Sequence, residues 1–156
     1  MTGLNGSNVM LGLNGDDYMS GSNRSDQMIG GKGDDTLSGR NGSDEIMGST
    51  GNDTIFGDDG ADEIMGGEGN DTIYGGNGPD TIMGRANDDV IVGGMGTDTI
   101  NGQDGDDKIY HGFTNSTAPD GSQDMIICGE GKDEVWVNIE VDGDLVSNDC
   151  EIIHEG

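Results

Sequence analysis

The feature that most constrains this chain is a period of nine. From Gly3 to Tyr110 the sequence divides into twelve consecutive blocks of nine residues, with no insertion or deletion. Two of them read Gly66-Gly67-Glu68-Gly69-Asn70-Asp71-Thr72-Ile73-Tyr74 and Gly75-Gly76-Asn77-Gly78-Pro79-Asp80-Thr81-Ile82-Met83. The first position is Gly in all twelve (Gly3, Gly12, Gly21, Gly30, Gly39, Gly48, Gly57, Gly66, Gly75, Gly84, Gly93, Gly102). The fourth is Gly in ten, with Arg24 and Asn87 as exceptions, and the sixth is Asp in eleven, with Asn8 as the exception. The eighth is always Met, Leu or Ile, from Met10 to Ile109. A short fixed period outranks the preferences of individual windows, because such a chain folds by stacking copies of one unit.

Within a block, positions one to six read as turn and seven to nine as strand. Gly at the first and fourth positions is expected to supply φ > 0 and close packing between successive turns. The last three positions run variable, apolar, variable, as in a short half-buried strand. Thr at the seventh position (Thr36, Thr54, Thr72, Thr81, Thr99) favours the extended form. A three-residue strand has no stability alone, so the blocks must stack into parallel sheets with the eighth-position side chains inside. The period does not decide between a flattened coil of two blocks per turn and a three-sided coil.

A chain of 156 residues is one domain by size. With 32 Gly, 29% hydrophobic residues and a net charge of −26, it would read as disordered were there no repeat. Folding is therefore expected to be conditional on something outside the chain. The acidity argues against nucleic acid and anionic membrane as partners, and for cations. No run of about 20 apolar residues is present, so no membrane span is expected. An acid excess serving solubility alone would be scattered, whereas eleven of these Asp residues keep one position of the repeat. Met1 and Thr2 fall at the eighth and ninth positions of a preceding block, so the chain reads as a piece of a longer protein or as lacking its natural start. No catalytic constellation appears: there is no His-Glu-x-x-His helix, and His111 and His154, without zinc-type partners, read as surface residues. The chain is not expected to be an enzyme.

The blocks resemble the RTX (repeats-in-toxin) nonapeptide, G-G-x-G-x-D-x-U-x with U a large aliphatic residue. The resemblance covers 108 of the 156 residues and departs most at the second position, which is Gly only at Gly31, Gly67, Gly76 and Gly94. It implies an all-β fold, a right-handed parallel β-roll with two nonapeptides per turn. One edge would then carry Asn8, Asp26, Asp44, Asp62, Asp80 and Asp98, and the other Asp17, Asp35, Asp53, Asp71, Asp89 and Asp107. With turns about 4.8 Å apart, neighbouring carboxylates repel by roughly 1 kcal/mol in water and by several at lower dielectric. A hard divalent cation between turns reverses that sign. Calcium accepts 6–8 oxygen ligands at irregular geometry, magnesium demands an octahedron, and zinc prefers the His and Cys that the repeats lack.

The resemblance implies calcium ligands from these Asp carboxylates, continued by Asp124 and Asp133, and from loop carbonyls around Gly30, Gly39, Gly48, Gly57, Gly66, Gly75, Gly84, Gly93 and Gly102. Five gaps on each edge suggest about ten Ca²⁺ ions, which would bring the net charge of −26 to about −6. The edge that begins with Asn8 should be weak at that end. Arg24 sits where φ > 0 is expected, at a cost of about 1–2 kcal/mol, and Asn87 is a milder departure. The copies from Gly39 to Tyr110 are expected to bind best.

The seventh and ninth positions should face outward. That puts Leu11, Ile29, Met47, Met65 and Met83 in one ladder, and Phe56, Tyr74, Val92 and Tyr110 in another, a possible surface for self-association or for docking another domain. The roll is expected over 1–110, with degenerate repeats and a cap over 111–156. His111 to Pro119 reads as an inserted loop; Asp107 to Asp124 is seventeen residues, so the insert is eight, and Asp124 and Asp133 keep the spacing of nine. The segment resembles the closing units of secreted calcium-binding repeat proteins, in which a Cys heads one unit and an Asp-Cys-Glu follows. That resemblance implies a Cys128–Cys150 disulfide. Trp136 and Ile139 are expected to pack over the roll end, and Asp142 and Asp144 could add a last calcium site. The expected function is that of a non-catalytic, secreted or cell-surface calcium-binding repeat protein that folds on binding. The alternatives are an export and stabilisation appendage of a larger secreted enzyme, toxin or adhesin, or a partner-binding scaffold.

Overall fold

The structure, a computed structural model, describes residues 1–3, 6–112, 122–137 and 143–155. Its strands in chain order are β1 (Val9–Asn14), β2 (Tyr18–Ser20), β3 (Gln27–Lys32), β4 (Thr36–Ser38), β5 (Glu45–Thr50), β6 (Thr54–Asp59), β7 (Glu63–Glu68) and β8 (Thr72–Asn77). There follow β9 (Thr81–Ala86), β10 (Val90–Met95), β11 (Thr99–Asp104), β12 (Lys108–Tyr110), β13 (Met125–Glu130), β14 (Glu134–Val137), β15 (Leu145–Val146) and β16 (Ile152–Glu155). No helix occurs among the described residues.

Odd-numbered strands form one eight-stranded sheet and even-numbered strands the other. Every pairing is parallel, and within the repeat each residue lies beside the one eighteen positions on, as Ile46 beside Ile64 and Ile55 beside Ile73. Two blocks therefore make one turn, which excludes the three-sided coil. All twelve eighth-position side chains, Met10 through Ile109, are buried between the two sheets. Ile126, Val135 and Val137 extend that core into the C-terminal segment. Across the insertion the step becomes twenty-six, with Ile100 beside Ile126 and Ile109 beside Val135, so the eight inserted residues leave the register intact.

Most strands are six residues long, not three. They run through positions one to three of the next block because pairing continues past the ninth position, as at Asp58 beside Gly76 and Asp59 beside Asn77. The left-handed backbone also sits differently from expectation. Positive φ occurs at the second and fourth positions, where non-glycine residues include Leu13, Arg40, Ser49, Asp58, Arg85, Asn87 and Gln103. The first-position glycines are not among them. Nor is Arg24: its loop departs from the repeat geometry, so the strain expected there does not arise.

The aromatic ladder covers itself, whereas Leu11 of the other ladder is exposed. Phe56 stacks on Tyr74 at 5.1 Å, Tyr110 on Trp136 at 4.4 Å, and Trp136 on His154 at 4.5 Å. Val92, between Tyr74 and Tyr110, is buried as a result. Trp136 thus lies within this ladder and does not cap the roll end, because β14 continues the sheet and β16 follows it. Ile139, Asp142 and most of the inserted loop lie outside the described residues. Cys128 and Cys150 form a disulfide, with a Cα–Cα distance of 5.2 Å.

Candidate metal centre

The sixth-position carboxylates line the two edges as expected, and almost all are buried. Each divides its two oxygens between different tasks. One oxygen accepts the backbone N–H of the sixth-position residue one turn earlier: Asp35 N donates to Asp53 Oδ1 at 2.7 Å, Asp53 N to Asp71 Oδ1 at 2.8 Å, and Asp71 N to Asp89 Oδ1 at 2.8 Å. The opposite edge repeats this from Asp26 and Asp44 through Asp62 and Asp80 to Asp98. These bonds join successive turns at their tightest bends. The other oxygen, Oδ2, is buried without a hydrogen-bond partner at Asp35, Asp44, Asp53, Asp62, Asp71, Asp80, Asp89, Asp107 and Asp133.

The first-position glycines explain where Oδ2 goes. A Cβ on Gly66 would lie 2.7 Å from the carbonyl oxygen of Gly84 and closer still to Asp71 Oδ2. The same pair of oxygens, from the block's own Asp and from the first-position residue one turn on, converges at Gly30, Gly39, Gly48, Gly57, Gly75, Gly84, Gly93 and Gly102. Glycine is required here for its missing side chain and not for its freedom in φ. The result is a repeated cradle of hard oxygen donors, one of them an unpartnered buried carboxylate oxygen. That donor set fits Ca²⁺ and offers nothing to a thiophilic ion.

Burial pushes the carboxyls up, only partly offset by the N–H bond each accepts: Asp53, Asp80 and Asp107 to about 6, Asp44, Asp62 and Asp71 to about 7, and Asp89 to about 8. Asp35 and Asp133 are also raised by burial. Neighbouring carboxylates add to the rise at most of these positions, as Asp71 and Asp107 do at Asp89. The roll without a cation thus disfavours the charge state its unfolded chain would carry at neutral pH.

Asp26 is different. Burial pushes it up, but bonds from the Asn8 side chain and from the Ser22 and Asn8 amides outweigh that and leave it lowered. Ser22 N donates to Asp26 Oδ2 at 2.7 Å, and Asn8 Nδ2 to Oδ1 at 2.7 Å. The Asp26 carboxylate is already satisfied by the protein.

The rows extend beyond the repeats. Asp98 N and Asp107 N donate to Asp124 and Asp133, then Asp124 N to Asp144 Oδ1 at 3.1 Å and Asp133 N to Glu151 Oε2 at 2.9 Å. Asp144 thus joins the row that begins with Asn8 and runs through Asp98 and Asp124. Glu151 was not anticipated, although its spacing of eighteen from Asp133 carried the signal. His111, expected at the surface, is fully buried, because it takes the first-position place beyond Gly93 and its ring turns inward between Asp124 and Asp144. His154 is partly exposed beside Glu134.

An all-parallel β-solenoid with a buried row of carboxylates along each edge defines the class: a repeat protein whose edges are built for cations. Residues 2–37, 20–55, 38–73, 65–100, 74–109 and 83–117 match the family described as the RTX calcium-binding nonapeptide repeat (4 copies), and the chain belongs to that family. A comparison with curated proteins found no match.

Proposed function

We propose that this chain is a non-catalytic extracellular protein that folds as it takes up several Ca²⁺ ions between its stacked turns. The observation that carries the reading is the row of buried Asp Oδ2 atoms without partners, each beside a glycine cradle holding a carbonyl oxygen. The residues that would hold the ions are Asp17, Asp35, Asp44, Asp53, Asp62, Asp71, Asp80, Asp89, Asp98 and Asp107, with Asp124 and Asp133 beyond the insertion, and the carbonyls of the first-position glycines. Asp26 contributes least, since both its oxygens are engaged. Bound calcium supplies the positive charge that lets these carboxylates stay ionised while buried. The chain's own contribution is to fix one oxygen of each Asp through a backbone N–H and to aim the other into the cradle.

About ten ions would fill the gaps between the twelve blocks, at the affinities of about 10⁻⁴–10⁻³ M typical of extracellular modules. Such sites stay empty inside a cell and fill outside it, which suits a secreted chain that folds after export, with 1–110 as the roll and 111–156 as degenerate repeats and cap. Calorimetric calcium titration with circular dichroism in parallel tests this. Several ions should bind as β signal appears, and full β signal in chelator at neutral pH would refute it.

A further inference from the structure

On the edge whose row begins with Asn8, every block from Gly39 to Gly93 has glycine at its first position, where a Cβ would crowd the two oxygens of the cradle. In the next block on that edge the first position is His111, whose carbonyl oxygen would lie 2.6 Å from a Cβ on Gly93. Its backbone stays in the ladder, with His111 N donating to Trp136 O at 3.1 Å and Gly94 N to His111 O at 2.9 Å. His111 therefore carries a side chain at the position where the preceding blocks on this edge have none. It is fully buried, and neither Nδ1 nor Nε2 makes a hydrogen bond. Nδ1 faces Asp144 Oδ2 at 3.5 Å. One ring nitrogen and one carboxylate oxygen from each of Asp124 and Asp144 lie within 4.8 Å of one another, and all three residues are buried.

A buried histidine with two bare nitrogens is costly unless something bonds to it. Two carboxylate oxygens and one imidazole nitrogen are not a calcium set, since calcium takes oxygen. They are a set for a first-row divalent ion, to which imidazole is well matched. Ligand atoms about 2.1 Å from a tetrahedral ion lie roughly 3.4 Å apart, so the His111–Asp144 pair already has that spacing.

We propose that His111, Asp124 and Asp144 form a separate Zn²⁺-class site that closes the edge whose row begins with Asn8, distinct in chemistry from the all-oxygen cradles before it, so that Asp124 serves this site in place of a calcium cradle. The site needs the folded cap but not the calcium assignment of any one cradle.

The test uses the oxidised full chain in saturating Ca²⁺, titrated with ZnCl₂ by calorimetry and with CoCl₂ by visible absorption. Wild type should bind one equivalent of Zn²⁺ and develop cobalt d–d bands. His111→Gly, which restores the repeat residue, should lose both, with Zn²⁺ affinity at least tenfold weaker, and His154→Ala should lose neither. Asp144→Asn serves if His111→Gly fails to fold. Imidazole NMR resonances of wild type give a readout that needs no variant: His111 should shift on Zn²⁺ addition and His154 should not. Equal binding by wild type and His111→Gly, or a shift at His154 alone, overturns the proposal. A chain that does not fold in Ca²⁺ would instead overturn the calcium reading, so the two failures are distinguishable.

Discussion

The buried carboxyls make the pH dependence of the metal-free roll run opposite to that of most acidic proteins. Seven of them, Asp44, Asp53, Asp62, Asp71, Asp80, Asp89 and Asp107, rise from 3.8 to between about 6 and about 8. Between pH 4 and 6 the unfolded chain has released protons that the roll still holds. Stability must then fall as pH rises, since the unfolded state binds fewer protons. Counting only two of the seven, to allow for solvent screening, the slope is about 2.7 kcal/mol per pH unit. Over two units that equals the whole stability of a small domain, about 5 kcal/mol. In chelator, far-UV circular dichroism should therefore show more β signal at pH 4 than at pH 8, with the loss starting above pH 4 and complete by about pH 8. In saturating Ca²⁺ the sign should reverse, because protons compete with the metal for the same oxygens. A chelated chain whose β signal is flat, or grows with pH, would refute the assignment of buried protonated carboxyls to the empty roll.

Other substitutions probe single features. Gly66→Ala places a Cβ against Gly84 O and Asp71 Oδ2, and should cost about 1–3 kcal/mol and lower the calcium stoichiometry seen by calorimetry. Ser49→Gly and Gln103→Gly relieve left-handed backbone and should each stabilise the calcium-loaded roll by about 0.5–1 kcal/mol in denaturant, whereas Arg24→Gly should gain nothing of that kind. Replacing Cys128 and Cys150 by Ala opens a closed loop of separation 22 and should cost roughly 3 kcal/mol of stability, read from the same unfolding curves.

The parallel stacking and the eight-residue insert were legible from spacing alone, whereas the two edge rows rested on the resemblance, since the period left a three-sided coil open. What spacing could not reveal was the division of labour within each Asp. Nothing in a sixth-position carboxylate says that Oδ1 is committed to the preceding turn's N–H. The role of the first-position glycine was legible only in half: the close packing of turns expected there occurs, the positive φ does not, and only contacts separate the two. Second-position residues such as Arg40 and Ser49 hid the left-handed site, because the neighbouring turn over-determines their backbone. His111 was misplaced because a lone histidine outside the regular blocks has no visible partners until Asp124 and Asp144 are brought to it by the twenty-six- and twenty-residue steps.

The eighteen-residue register sets a length quantum for the molecule. Adding or deleting a pair of blocks lengthens or shortens the roll by one rung on each sheet and leaves every row aligned. Adding or deleting a single block would send all later copies to the opposite sheet, setting Tyr110 and Trp136 beneath the methionine row and Asp124 beneath the wrong carboxylates. Viable variants of this architecture, natural or engineered, should therefore differ in even numbers of nonapeptides.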